Sequence, residues 1–342
     1  MKKSQLIALG IIFVVFVILL FTGLNKARNQ APPVVVNLNV TPTGIVTQTQ
    51  APTEGPVITP TLANPVESQT PDATRTPEAI NTPEETPTPT PSPEPTPLFP
   101  ELDKDALSNL STERIGWYFT VVDNNGKTLL GILDKDKALI NKYGAIYTKD
   151  TSQKFIYLTF DESYEGGYTS TILDSLKANN VKATFFVTGQ YINDNPDLVK
   201  RMISEGHLVG NMADGSLDMP SLSIDDFVNQ LMGAETKYRA LFGENSRMYY
   251  YRSPSGYYSE RDLALTKQLG YTAVFWSYAY GDYFDDPSKI PSEDTAISLL
   301  TTNAHNGAVY LLHASSKINA DIIGRVIDSL RVDGYEFKRI DQ

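Results

Sequence analysis

Two adjacent carboxylates, Asp161 and Glu162, end the apolar β-type run FIYLTFDES over Phe155–Ser163. A strand of this composition can be buried, and its last residues then project acids from a sheet rim, where folding rarely needs them. Three further ionisable groups sit at equivalent places: Arg252 ends MYYYR, Asp282 follows VFWSYAY, and His313 ends AVYLLH. In βα barrels, sites form at the carboxyl ends of the strands, so all five groups are expected to converge on one mouth. His313, with an unperturbed pKa near 6.5, is the residue suited to proton transfer. His207, just before the run LVGN, and His305, in NAHNGA, read as structural histidines.

That convergence needs parallel neighbouring strands, and strand-like and helix-like patterns do alternate. FIYLTF precedes a helical pattern over Tyr168–Asn179, ATFFVT (Ala183–Thr188) one over Asp197–Glu205, and LVGN (Leu208–Asn211) one over Ile224–Phe242. MYYYR (Met248–Arg252) precedes a helix beginning near Ser259, an N-cap residue. TAVFWSY (Thr272–Tyr278), AVYLLH (Ala308–His313) and YEFKRI (Tyr335–Ile340) are further expected strands, with helices near Asp294–Ala304 and Ala320–Val332. About seven βα units in roughly 230 residues favour an α/β fold of the distorted (β/α) barrel type, an open doubly wound sheet being the alternative. No Gly-rich phosphate loop follows any strand, so a nucleotide fold has no support.

The rest of the 342 residues is unevenly composed. Residues 6–24 (LIALGIIFVVFVILLFTGL) carry no charge and, at about 1.5 Å per residue, approach the ~30 Å hydrocarbon core. A secretory signal has a shorter apolar region and a small-residue cleavage site, so residues 1–29 read as a cytoplasmic tip and retained transmembrane helix. Residues 30–100, rich in Thr and Pro, contain too little apolar surface to bury a core and read as a disordered, semi-stiff stalk. Residues 101–342 then form the folded domain, its core expected over about 150–342, on the wall side of a single-pass cell-membrane protein. The net charge of −11 argues against a nucleic-acid partner, and with no cysteine there are no disulfides.

From Ile115 to Asp341 the chain resembles the polysaccharide deacetylase family, also called the NodB homology domain or carbohydrate esterase family 4. The resemblance is to the delta-lactam-forming peptidoglycan deacetylases of spore formers. It is carried by TFDES, where the family usually has TFDDG, and by YEGGYT, IGWYFT, KYGAIYTKDTSQK, VKATFFVTGQYI and EGHLVGN. YRSPSG, VFWSYAYGDY and NGAVYLLHASS extend it to the whole folded domain. It implies metal-assisted removal of acetate from an N-acetylated cell-wall sugar, with peptidoglycan as partner. Asp161 would be the general base, Arg252 would orient it, His313 would protonate the leaving amine and Asp282 would tune that histidine. Leu311 would shape the acetate pocket, and the backbone around Ser255 and Gly256 would stabilise the oxyanion.

The same resemblance exposes a gap. The family holds its divalent metal, usually zinc, largely by two histidines in a His-[Ser/Thr]-x-x-His motif after the Gly-Asn of the third strand. Here Gly210 and Asn211 are followed by MADGSLD, so Met212 and Ser216 occupy the histidine positions. A thioether and a serine hydroxyl are poor ligands for such an ion. Glu162 stands at the second-carboxylate position, and Asp214 is a possible extra oxygen. Tyr283 replaces the family's Trp, and Ser255 a residue that is often bulkier. The expectation is an impaired or inactive deacetylase with no metal held securely. The alternatives are a non-catalytic glycan-binding or scaffolding protein, or an active enzyme with an altered metal site.

Overall fold

The computed structural model describes residues 98–124, 127–132, 134–215, 218–283 and 287–342, together with the backbone of residues 34–35. The expected membrane span at residues 6–24 and most of the expected stalk lie outside the described residues. Val34–Val35 pairs antiparallel with Thr120 and Val121, although the stalk was expected to be unstructured here.

The sheet strands are labelled in chain order: β1 Phe155–Glu162, β2 Thr184–Val187, β3 Leu208–Asn211, β4 Tyr250–Tyr251, β5 Thr272–Ala273, β6 Tyr278–Ala279, β7 Ala308–His313 and β8 Glu336–Phe337. The helices that follow β1 are α1 Thr169–Ala178, α2 Gly189–Asp194, α3 Pro196–Ser204, α4 Ile224–Phe242, α5 Glu260–Gln268, α6 Glu293–Thr302 and α7 Lys317–Val332. Strand order is β5-β4-β3-β2-β1-β7-β6, and β8 lies beside the start of β1. Every pairing is parallel. Apolar side chains cover both faces of the central strands, as parallel sheets require; Phe160 of β1, for example, stacks on Phe185 of β2 with centroids 5.0 Å apart.

The expected strand Thr272–Tyr278 is instead two short ladders at opposite edges of the sheet. Between them Val274 donates its N–H to Tyr251 O (2.8 Å), Phe275 to Ile146 O (2.7 Å) and Ser277 to Val309 O (2.9 Å). One stretch of chain thus leaves β4 and reaches β7, and its five steps span at most about 18 Å. The two edges must curl towards each other, which gives a curled parallel half-barrel with no ladder between β5 and β6 to close it. The pattern alone could not reveal this break, because Val274–Ser277 are buried whether or not they pair.

Ser259 caps α5 as expected, in a reciprocal capping box with Asp262. The core, however, begins well before residue 150. Trp117, Phe119 and Ile140 are buried in it, and Trp117 stacks on Phe275 at 4.4 Å while its indole N–H donates to Trp276 O at 2.9 Å. The leading segment therefore braces the stretch on which the sheet turns. Trp117→Ala is expected to cost about 3–5 kcal/mol of stability in denaturant unfolding; a cost below about 1 kcal/mol would mean the segment is an appendage.

Candidate functional site

Side chains alternate along a strand, so Thr159 and Asp161 of β1 share one face and Glu162 belongs to the other. The Arg252 guanidinium, 1% exposed, spans the first face. Its Nη1 donates to Asp161 Oδ1 (2.7 Å) and Thr159 Oγ1 (2.8 Å), its Nε to Val274 O (3.1 Å), and its Nη2 to Phe275 O (3.2 Å). Its plane lies over the Phe186 ring at 4.2 Å. Burial lowers the Arg252 pKa and Asp161 opposes this, but a guanidinium stays charged throughout the physiological range.

In the β1–β7 ladder His313 is the register partner of Asp161, which places both at the mouth. His313 Nδ1 meets Asp282 Oδ1 at 3.0 Å, and the His313 main-chain N–H donates to Asp282 Oδ2 at 2.8 Å. Burial acts to lower the imidazole pKa, but Asp282, helped by Asp161, outweighs it and holds His313 above its ordinary value near 6.5. Since Nδ1 faces the carboxylate, Nε2 is the ring nitrogen left for the pocket.

A pocket of about 180 Å³ lies between these groups, lined by Asp161, Met212, Ser255, Tyr283, Leu311 and His313 among others. It is smaller than the ~300 Å³ and upwards of most small-molecule sites and suits one substituent rather than a whole oligosaccharide. Ser255 and Gly256 both take left-handed backbone angles, φ 56° and 69°, which turn the chain back along the pocket wall. Only glycine fits the second place, because a Cβ there would lie 2.7 Å from Trp276. The Gly256 N–H already donates to Ser253 O at 3.1 Å, so Ser255 carries the main-chain donor to consider from this turn.

Four of the five predicted groups thus meet, and Glu162 does not. It is fully buried on the opposite face, where Thr169 Oγ1 is within 3.4 Å of its Oε1. No partner for Oε2 is found among the described residues. Burial first, then the charges of Glu165 and Asp161, push its carboxyl well above the usual carboxylate range, and the Thr169 hydroxyl opposes this only in part. Asp214 is also engaged elsewhere, with Lys237 Nζ at 2.6 Å. Ser216 lies outside the described residues. Among the described residues no cluster of three or more His, Cys, Asp or Glu side chains is placed to hold an ion. The donors among the described residues do not fit a divalent cation such as zinc: Met212, a thioether, lines the pocket, and Asp161 Oδ1 is committed to Arg252.

His207 and His305 are structural as read: His207 Nδ1 accepts from Ala183 N–H, and His305 bonds Asn303 O and Ser277 Oγ. Sequence reasoning missed Trp276 in the pocket wall, although VFWSYAY was singled out. It also missed Asn319, six residues past His313, whose amide reaches Asp282.

Because folding raises the Glu162 pKa, its favourable contribution is complete below about pH 4.5 and is lost as pH rises through the folded-state value. Glu162→Gln should therefore gain roughly 1–3 kcal/mol over the parent near neutral pH, with the gain vanishing towards pH 4.5. Parallel stability–pH curves for the two proteins would contradict this placement of the side chain.

Comparisons with known proteins identify the family. Residues 148–274 match the family described as Polysaccharide deacetylase. The peptidoglycan-N-acetylmuramic acid deacetylase PdaA of Bacillus subtilis is 41% identical over 204 residues, which cover 60% of this chain and 76% of that protein. The solved structure of Bacillus subtilis PdaA, described as a family 4 carbohydrate esterase, superposes with a TM-score of 0.63 at 38% identity, covering 68% of this chain and 97% of that one. A mutant of BA3943, a Bacillus anthracis protein described as a family 4 pseudoenzyme, with restored enzymatic activity, matches with a TM-score of 0.53 at 25% identity over 58% of this chain and 70% of its own. With its parallel half-barrel and its acid–base pocket at the strand ends, the chain belongs to the polysaccharide deacetylase family, carbohydrate esterase family 4.

Proposed function

We propose that this protein recognises an N-acetylated sugar of the cell-wall glycan in the pocket below His313 and has little or no deacetylase activity. The observation that carries this reading is the pocket's donor set. Met212 supplies a thioether, Glu162 is turned to the opposite face, and Asp161 is tied to Arg252. In the family the metal lowers the pKa of bound water and polarises the amide carbonyl, and these residues offer it no comparable seat.

What remains suits an acetamido group. Leu311, Trp276 and Ala279 give the pocket an apolar wall for a methyl group. Asp161 is held as an acceptor by Arg252, and His313 Nε2 can donate to the acyl oxygen or nitrogen when the ring is protonated. Arg252 orients Asp161, Asp282 fixes the His313 tautomer, and Tyr283, whose ring lies 5.7 Å from that of His313, flanks the entrance. A structural relative described as a family 4 pseudoenzyme supports the idea that this fold persists without turnover. Residues 6–24 and the Thr/Pro-rich segment after them support display of the domain on the wall side of the membrane.

The second reading, an active deacetylase with a relocated metal, is favoured by the retained His313–Asp282 pair, a competent acid arrangement. One experiment separates the two. Purified protein is titrated with N-acetylated and fully de-N-acetylated chito-oligosaccharide in chelator, and acetate release is followed with added zinc, cobalt or manganese. Binding should need the acetyl groups, persist in chelator and weaken about tenfold, or 1.4 kcal/mol, in Tyr283→Ala. No metal should produce acetate release that Asp161→Asn abolishes. Such release would establish the second reading, and equal affinity for the de-N-acetylated sugar would remove the first.

A further inference from the structure

We propose that Asn319 is the positioning residue of the Asp282–His313 pair, fixing the Asp282 carboxylate that orients the imidazole. Asp282 lies on no strand; it follows β6, and its own N–H turns back to Tyr280 O at 2.9 Å. A carboxylate on such a stretch needs outside partners to hold one orientation. Two come from His313 itself, through Nδ1 and the main-chain N–H, and a group cannot be oriented by the residue it is meant to orient. Among the described residues the independent partner is Asn319, in the first turn of α7 and 1% exposed.

Its amide touches both members of the pair. Asn319 Nδ2 donates to Asp282 Oδ2 and also, at 2.9 Å, to the main-chain carbonyl of His313. Its Oδ1 accepts the hydroxyl proton of Tyr280, the residue two before Asp282. The amide cannot be reversed, because its oxygen would then face two acceptors, Asp282 Oδ2 and His313 O. Aspartate is no substitute for the same reason: it would set a second carboxylate against the first. One buried side chain thus pins the start of α7, the end of β7 and the stretch after β6 at a single point. A buried, fully satisfied polar network of this kind favours one geometry over its neighbours.

The charged groups that bear on the imidazole are Asp282, Asp161 and Arg252, with the Tyr283 ring beside it. Of these, Asn319 contacts Asp282. Its bond to His313 reaches only the main-chain carbonyl, so its effect on the imidazole should pass through Asp282, which a purely structural role would not require. The relevance of the assignment rests on the reading of His313 as the pocket's proton donor. The measurement reads the imidazole alone, so sugar binding can fail without this proposal failing.

The test is NMR titration of the His313 ring nitrogens and of the Nδ1 proton in the whole protein. In Asn319→Ala the pKa should fall towards 6.5 and the Nδ1 proton should exchange faster with solvent. Adding Asn319→Ala to Asp282→Asn should change nothing further. Tyr280→Phe, which removes the bond to Asn319 Oδ1 alone, should shift His313 in the same direction by less, and it decides the matter if Asn319→Ala does not fold. An unchanged His313 titration in a folded Asn319→Ala protein overturns the proposal. So does an Asn319→Ala or Tyr280→Phe shift that persists undiminished in the Asp282→Asn background.

Discussion

The structure depends on one buried cation. Arg252 is a fully desolvated guanidinium in the mouth of the half-barrel, and such a charge is tolerated only when paired and hydrogen-bonded. Its partners come from the end of β1 and from the main chain of Val274 and Phe275, where the sheet breaks between its two edges. The same interaction that seats the charge therefore holds the end of β4 against the point where the chain turns towards β7. Removing one member of such a pair costs about 3–5 kcal/mol, because the other stays buried and uncompensated. Fold and site are not separable here, since the residue that orients Asp161 also helps to curl the sheet.

That constraint also shapes the chemistry. Asp161 is kept in place by Arg252, but one of its oxygens is committed as a result. Glu162, one residue on, is carried by strand alternation to the opposite face, into a buried cluster with Thr169, Glu165 and Tyr191. Met212 closes the remaining side with a thioether. The pocket keeps a positioned acceptor, a proton donor held by Asp282 and an apolar wall. These are the elements on which the proposed recognition of an acetamido group rests.

Much of this was legible in the sequence wherever a rule of position applied. Asp161, Arg252 and His313 stood at the ends of apolar runs, and parallel sheets gather such ends at one rim. Thr272–Tyr278 misled because a run buried throughout looks the same paired or unpaired, and the break is visible only once both edges have partners. Glu162 misled because adjacency in sequence suggests a shared role, whereas adjacent strand residues face opposite ways. The importance of Trp117 was hidden by distance: its partner Phe275 lies far along the chain, and no local pattern reports that contact. Asn319 gave no signal, being one asparagine in a helical stretch whose role depends entirely on where Asp282 arrives.

We propose that the residue types lining the pocket deny it a metal seat, and the direct measurement is the metal content of the purified protein after equilibration with zinc and removal of excess. The parent should retain far less than one equivalent, and the Met212→His, Ser216→His double variant should approach one. A parent that holds a full equivalent, unchanged by the two substitutions, would contradict the account and mean that the ligands lie elsewhere.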